Sequence, residues 1–142
     1  MKTTALLLAL AASSSVPFRH LAQASPPGEQ PAKPLVALTR YIDYLRPQDA
    51  QRVRLLSPTR LGIAVFAGEK PTGGYTIKVT RLTLAAGKLT VTAQVTPPEG
   101  PATDVISSPY DVVTIARPAH RPKTWVLRDA HGITLAAGAF KL

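Results

Sequence analysis

From Leu61 onward the apolar residues recur at every second position, and this period constrains the fold more than any other feature of the sequence. In KLTVTAQV, Leu89, Val91, Ala93 and Val95 alternate with Lys88, Thr90, Thr92 and Gln94. Successive side chains of a strand point to opposite faces, so this segment has one apolar and one wet face, as in half-covered antiparallel sheets. YTIKV likewise puts Tyr75, Ile77 and Val79 on one face and Thr76 and Lys78 on the other. LGIAVFA, Leu61 to Ala67, carries no polar side chain and predicts a strand buried on both faces. Gly68 to Gly74, Ala85-Ala86-Gly87, TPPEGPA and RPAHRP break these runs, and Asp129 to Gly132 marks the turn of a final hairpin. In DVISSPYDVVTI, Pro109 lacks an amide proton and keeps Ser108 extended, which predicts an edge or a corner between two strand halves.

Upstream the period changes. Leu35, Leu38, Ile42 and Leu45 recur at three and four, predicting a helix that Pro47 ends, with a further helical turn in Gln48 to Leu56. The expected fold is therefore mainly β, a small antiparallel β-sandwich or barrel with one N-terminal helix packed against it. A length of 142 residues, 45% hydrophobic and 18% charged, suits a single folded domain.

The N-terminus reads as an export signal: Met1-Lys2, the apolar run Ala5 to Ala12, then LAQA with a cut after Ala24. The organisation expected is a signal peptide at 1–24, a Pro-rich linker at 25–34 and one β-rich domain at 35–142. The apolar run is too short to span a bilayer, so no transmembrane span is expected. The location implied is secreted, periplasmic or cell-envelope. With no cysteine, the chain has no disulfide, no thiol chemistry and no lipid anchor through an N-terminal cysteine.

Seventeen Lys and Arg against eight Asp and Glu give a net charge of +9. The bases are dispersed along the chain, which fits a solvated, repulsive surface. An exported basic protein meets anionic lipids, wall polymers and acidic protein faces, so no nucleic-acid partner is expected.

The usual catalytic patterns fail on spacing. His20 belongs to the expected signal, and His120 and His131 lie in separate turns with no carboxylate cluster at metal spacing. A triad drawn from Ser107 or Ser108 with His120 and Asp111 lacks a nucleophile elbow. Glu69, Glu99, Asp104, Asp111 and Asp129 provide an acid and a base only if folding pairs two of them at a cleft. GEKPTGG is no phosphate loop, since its lysine precedes the glycine pair and a strand, not a helix, follows. No catalytic residue, metal or cofactor is expected, and the chain is expected not to be an enzyme.

Two short motifs remain, KPTGGY at Lys70 to Tyr75 and SSPY at Ser107 to Tyr110. Each joins a backbone restricted by proline or freed by glycine to a tyrosine, a large contact surface with a hydrogen-bonding tip. The bland reading is a pair of well-made turns. The functional one is a ridge that a partner recognises. AVFAGEKPTGGYTIKV, GKLTVTAQVTPPEG and ISSPYDVVTI, in this order, resemble the C-terminal domain of the PrcB family of protease complex subunits, over about residues 60–116. The resemblance implies a noncatalytic exported β domain, in a family named for a lipoprotein that associates with a secreted subtilisin-like protease complex. It also implies protein-binding residues at Pro71, Thr72, Gly73, Gly74, Tyr75, Ser108, Pro109 and Tyr110. The partner expected is a secreted or cell-envelope protein, with a protease complex as the implied class. Two alternatives stand beside it. KPTGGY is similar to the NPTTGY-type loop of chagasin-like cysteine protease inhibitors, with RPKTW, Arg121 to Trp125, as a second loop. The net charge also suits a binder of anionic cell-surface polymers.

Overall fold

The computed structural model describes residues 15–39 and 44–141. Its elements are β1 (Arg19–Ala24), β2 (Leu35–Leu38), α1 (Pro47–Arg54), β3 (Arg60–Phe66), β4 (Thr76–Ala85), β5 (Lys88–Thr96), β6 (Tyr110–Ala116), β7 (Thr124–Arg128) and β8 (Thr134–Ala139). They form two four-stranded sheets, β1-β6-β3-β2 and β4-β5-β7-β8.

The apolar face of each alternating strand turns to a shared core. Leu61, Ile63, Val65, Val113 and Ile115 from the first sheet meet Ile77, Val79, Leu82, Leu89, Val91 and Leu127 from the second. β3, without polar side chains after Arg60, has a second apolar face as expected. Ala64 and Phe66 join Tyr110 and Val112 on the far side of the first sheet, where Leu45, just before α1, and Val53, within it, cover them. Across the β4–β5 turn, Ala86 and Gly87 both take positive φ (52° and 77°), the geometry that lets a two-residue loop follow the strand twist.

The first sheet is antiparallel throughout. In the second, β5 pairs parallel to β7. Parallel neighbours need a long crossover, and here the chain leaves β5, builds β6 into the other sheet and returns.

Four expectations change. Leu35–Leu38 is a strand paired with β3, burying Val36 and Leu38, since a four-residue apolar run fits either period until a neighbour is present. Ile42 of the expected helix lies outside the described residues. Pro47 opens α1 instead of closing a helix, because the first helical residue needs no amide proton. β6 lies between β1 and β3, not at an edge, and Pro109 precedes its first residue, where it interrupts no ladder bond.

The fourth change concerns the N-terminus. Arg19–Ala24, read in sequence as the end of a leader cut after Ala24, is β1, paired to β6 from Arg19↔Thr114 to Ala24↔Tyr110. Ser25 to Pro34, read in sequence as a Pro-rich linker, is tied down: Gly28 N–H donates to Ile106 O (2.9 Å), and Pro26 O and Ala32 O accept from Ser108 and Glu69 N–H (both 3.0 Å). The apolar run Ala5 to Ala12 lies outside the described residues. No described helix is long and apolar enough to cross a membrane.

Candidate functional site

The strand registers gather three connections at one end of the molecule: residues 25–34, 67–75 and 97–109. The two sequence motifs sit in the second and third of these, side by side. Lys70 and Ser107 exchange backbone hydrogen bonds, 2.8 Å from Lys70 N–H and 3.0 Å from Ser107 N–H. Ser107 Oγ donates to Thr72 O at 2.7 Å, and Gly73 N–H donates to Thr103 O at 3.1 Å. At Gly74, φ is +82° and an added Cβ would lie 2.8 Å from Pro98 Cβ, so only glycine fits against the third connection. The loop is thus a preorganised ledge, held on both sides.

Only the first motif faces outward. Pro71 and Gly74 are exposed, Thr72, Gly73 and Tyr75 half-buried, and Lys70 Nζ lies 5.9 Å from the centre of the Tyr75 ring, within cation–π range. Ser107, Ser108 and Tyr110 are 1%, 3% and 0% exposed, and Pro109 is buried as well. The ridge expected from both motifs is therefore built from Pro71 to Tyr75, while Ser108, Pro109 and Tyr110 are its foundation. Strand alternation buries them: Tyr110 begins β6 under α1, with its ring edge-on to Phe66 at 5.7 Å.

Tyr110 has a polar task in the interior. Its hydroxyl donates to Asp49 Oδ2 and accepts from Arg46 N–H at 3.0 Å. Arg46 caps α1, and Asp49 is the third residue of that helix. In the usual capping box that third side chain reaches the cap amide directly, whereas here a tyrosine hydroxyl from β6 relays the contact. Arg46 Nε completes the cluster, 2.9 Å from Asp49 Oδ2. Burial pushes the Asp49 carboxyl upward, but hydrogen bonds from Arg46 and Tyr110 and the charges of Arg46 and Arg52 outweigh it, leaving the pKa below 3.8. Burial, with donation to Asp49 adding to it, raises the Tyr110 pKa above 10.0.

The next residue, Asp111, points to the opposite face and is also fully buried. Its Oδ2 accepts from Val79 N–H at 2.8 Å and lies 2.9 Å from His20 Nδ1. β4 is an edge strand, so the carboxylate satisfies an amide that the β5 ladder leaves unused, and it stitches one sheet to the other. Burial raises the Asp111 pKa above 3.8, against the Val79 and His20 hydrogen bonds and the charges of His20 and Lys78.

These contacts dissolve the triad drawn in sequence, because Asp111 pairs with His20 while His120 is exposed on its own loop. Among the described residues no three of His, Cys, Asp and Glu are placed to hold a metal ion. Trp125, expected in an inhibitor-like loop, lies within β7, 5% exposed, with Gly138 packed on its ring. A loop contact through that indole is therefore not available. Asp49, Arg46 and His20 were missed as site residues. One sequence signal pointed toward them: Asp111 is a lone charge in the apolar strand YDVVTIA and requires a buried partner.

The PrcB C-terminal family model matches residues 61–116. That stretch holds the central pair β3–β6 and the β4–β5 hairpin, with both motif loops. β1, β2, α1, β7 and β8 lie outside it. No curated protein and no solved structure matches the chain.

Proposed function

We propose that the protein is an exported, nonenzymatic accessory protein that binds or stabilises a secreted partner through the Pro71 to Tyr75 ledge. A secreted protease complex is the partner class that the family resemblance implies. One observation carries this reading: hydrogen bonds of Lys70, Thr72 and Gly73 to Ser107 and Thr103 fix a loop whose outward side is proline, glycine and tyrosine. A rigid loop loses little freedom on binding, and a half-buried tyrosine offers contact area with a polar tip. We further propose that the cut releasing the exported form falls upstream of Arg19, a reading supported by the loss of β1 and His20 that removal through Ala24 would bring.

The test is capture of secreted proteins from culture medium by the wild-type chain and by Tyr75→Ala. The variant is expected to keep its folding stability within about 0.5 kcal/mol and to lose the specific partner. Equal capture of every protein by both forms would contradict the ledge as the binding surface. N-terminal sequencing of the exported protein checks the cut, with a first residue at or before Arg19 expected and Ser25 contradicting it.

A further inference from the structure

The charge of the chain is not spread evenly in space. The exposed carboxylates Glu29, Glu69, Glu99 and Asp104 all sit in the three connections at the motif end, while the half-buried Asp129 in the β7–β8 turn accepts from His131 and Ile133 N–H. The four strands of the second sheet contain no acidic residue. Because Ile77, Leu82, Val91 and Leu127 point into the core, their neighbours face outward. Lys78 stands across from Gln94, and Thr92 stands between Arg81 and Arg128. Strands lie about 4.8 Å apart, so those two arginines are about 10 Å from each other on a flat, hydroxylated surface. Arg81 Nε also contacts Ser15 Oγ at 3.1 Å.

This face opens into a cleft of about 340 Å³ at the joint of the two sheets, lined by Gln23, Ser25, Thr76, Lys78, Gln94 and Thr96 among others. Ser25 Oγ is buried and has no hydrogen-bond partner, the condition a ligand hydroxyl would relieve. The volume is that of a small-ligand site.

We propose that this cleft binds an acidic sugar unit and that the outer face of the second sheet carries the following units of the same linear anionic polysaccharide. Lys78 takes the carboxylate, and Gln94, Thr76, Thr96 and Ser25 take the ring hydroxyls. The chemistry selects among polyanions. Among the described residues no exposed aromatic side chain lies on this face to stack a nucleobase, and Tyr110, which borders the cleft, is fully buried. The large exposed apolar side chains of this sheet, Leu135 in β8 and Ile133 just before it, stand at the edge opposite β4, away from the cleft, so the cleft itself offers no apolar anchor for a membrane or a protein interface. The cleft does not use the exposed side of the Pro71 to Tyr75 loop, so the site stands independently of the accessory-protein reading.

Titration calorimetry of the full chain with oligogalacturonate at low salt tests it. Saturable binding is expected that weakens as salt rises, and that falls about fivefold in Lys78→Gln and in Ser25→Ala. Lys33→Gln, an equal charge change on an exposed residue outside the face, should leave the affinity within about twofold. The methyl-esterified oligomer should not bind. Absence of saturable binding, or an equal loss in Lys33→Gln, would overturn the site. Polyglutamate or a thymidine oligonucleotide binding as tightly as oligogalacturonate would overturn the assignment to a polysaccharide.

Discussion

Tyr110 and Asp111 are adjacent on β6, and the two faces of that strand make opposite use of a buried polar group. On the helix side, the Tyr110 hydroxyl meets Asp49, whose charge Arg46 neutralises, so the carboxylate is held ionised. On the side facing the second sheet, Asp111 has one backbone amide and His20, and burial keeps the upper hand over both. What differs is the neutralising charge. A guanidinium beside the carboxylate compensates desolvation, whereas an amide and an imidazole do so only in part. Both residues lie in the stretch 61–116, and both reach for elements outside it, Tyr110 for α1 and Asp111 for β1. A four-stranded motif core thus recruits its flanks through one pair of neighbouring side chains.

The largest effect should come from Asp49→Ala, which strands the Tyr110 hydroxyl and Arg46. Since the Arg46 side chain is 40% exposed, the loss is put at about 2–3 kcal/mol in urea unfolding, below that of a fully buried pair. A loss under about 0.5 kcal/mol would mean that the cluster does not hold the helix. Tyr110→Phe keeps the ring and removes only the relay, leaving Arg46 N–H and Asp49 each short of a partner. About 1–2 kcal/mol is expected by the same measurement. His20→Ala removes a half-exposed partner of Asp111 and should cost less, about 0.5–1 kcal/mol. If His20→Ala cost more than Tyr110→Phe, the ranking of the two faces would be reversed.

Much of this fold was legible in the sequence, for identifiable reasons. β3, β4, β5, β7 and β8 follow from alternation, and the turns at Gly87 and Asp129 to Gly132 from their residues. β2 was not legible, because Leu35 and Leu38 satisfy a helical period as well as a strand. β1 was hidden by its composition: LAQA supplies the small residues of a cleavage site and also those of a strand packed under a helix. The site was half legible. The two motifs were recognisable as a pair, and the Lys70–Ser107 bridge brings them together. Which tyrosine faced solvent was not, since only the strand register buries Tyr110 and leaves Tyr75 half-exposed.

The contrast between the two carboxylates is tested most directly by the pH dependence of the stability difference between wild type and each of Asp49→Asn and Asp111→Asn. The folded-state pKa of Asp49 is lowered, so its contribution is present above the unfolded value of 3.8 and is lost as pH falls below it through the folded value. The advantage of wild type over Asp49→Asn should therefore shrink on acidification. For Asp111 the folded pKa is raised, so its contribution is present below 3.8 and is lost as pH rises through the folded value, with His20 and Lys78 as the charged neighbours. Asparagine can still accept from Val79 N–H, so Asp111→Asn should gain on wild type as pH rises and differ from it by no more than about 1 kcal/mol at neutrality. Opposite slopes are predicted for the two variants. Slopes of the same sign would contradict the account of β6 as a strand with one ionised and one desolvated carboxylate on its two sides.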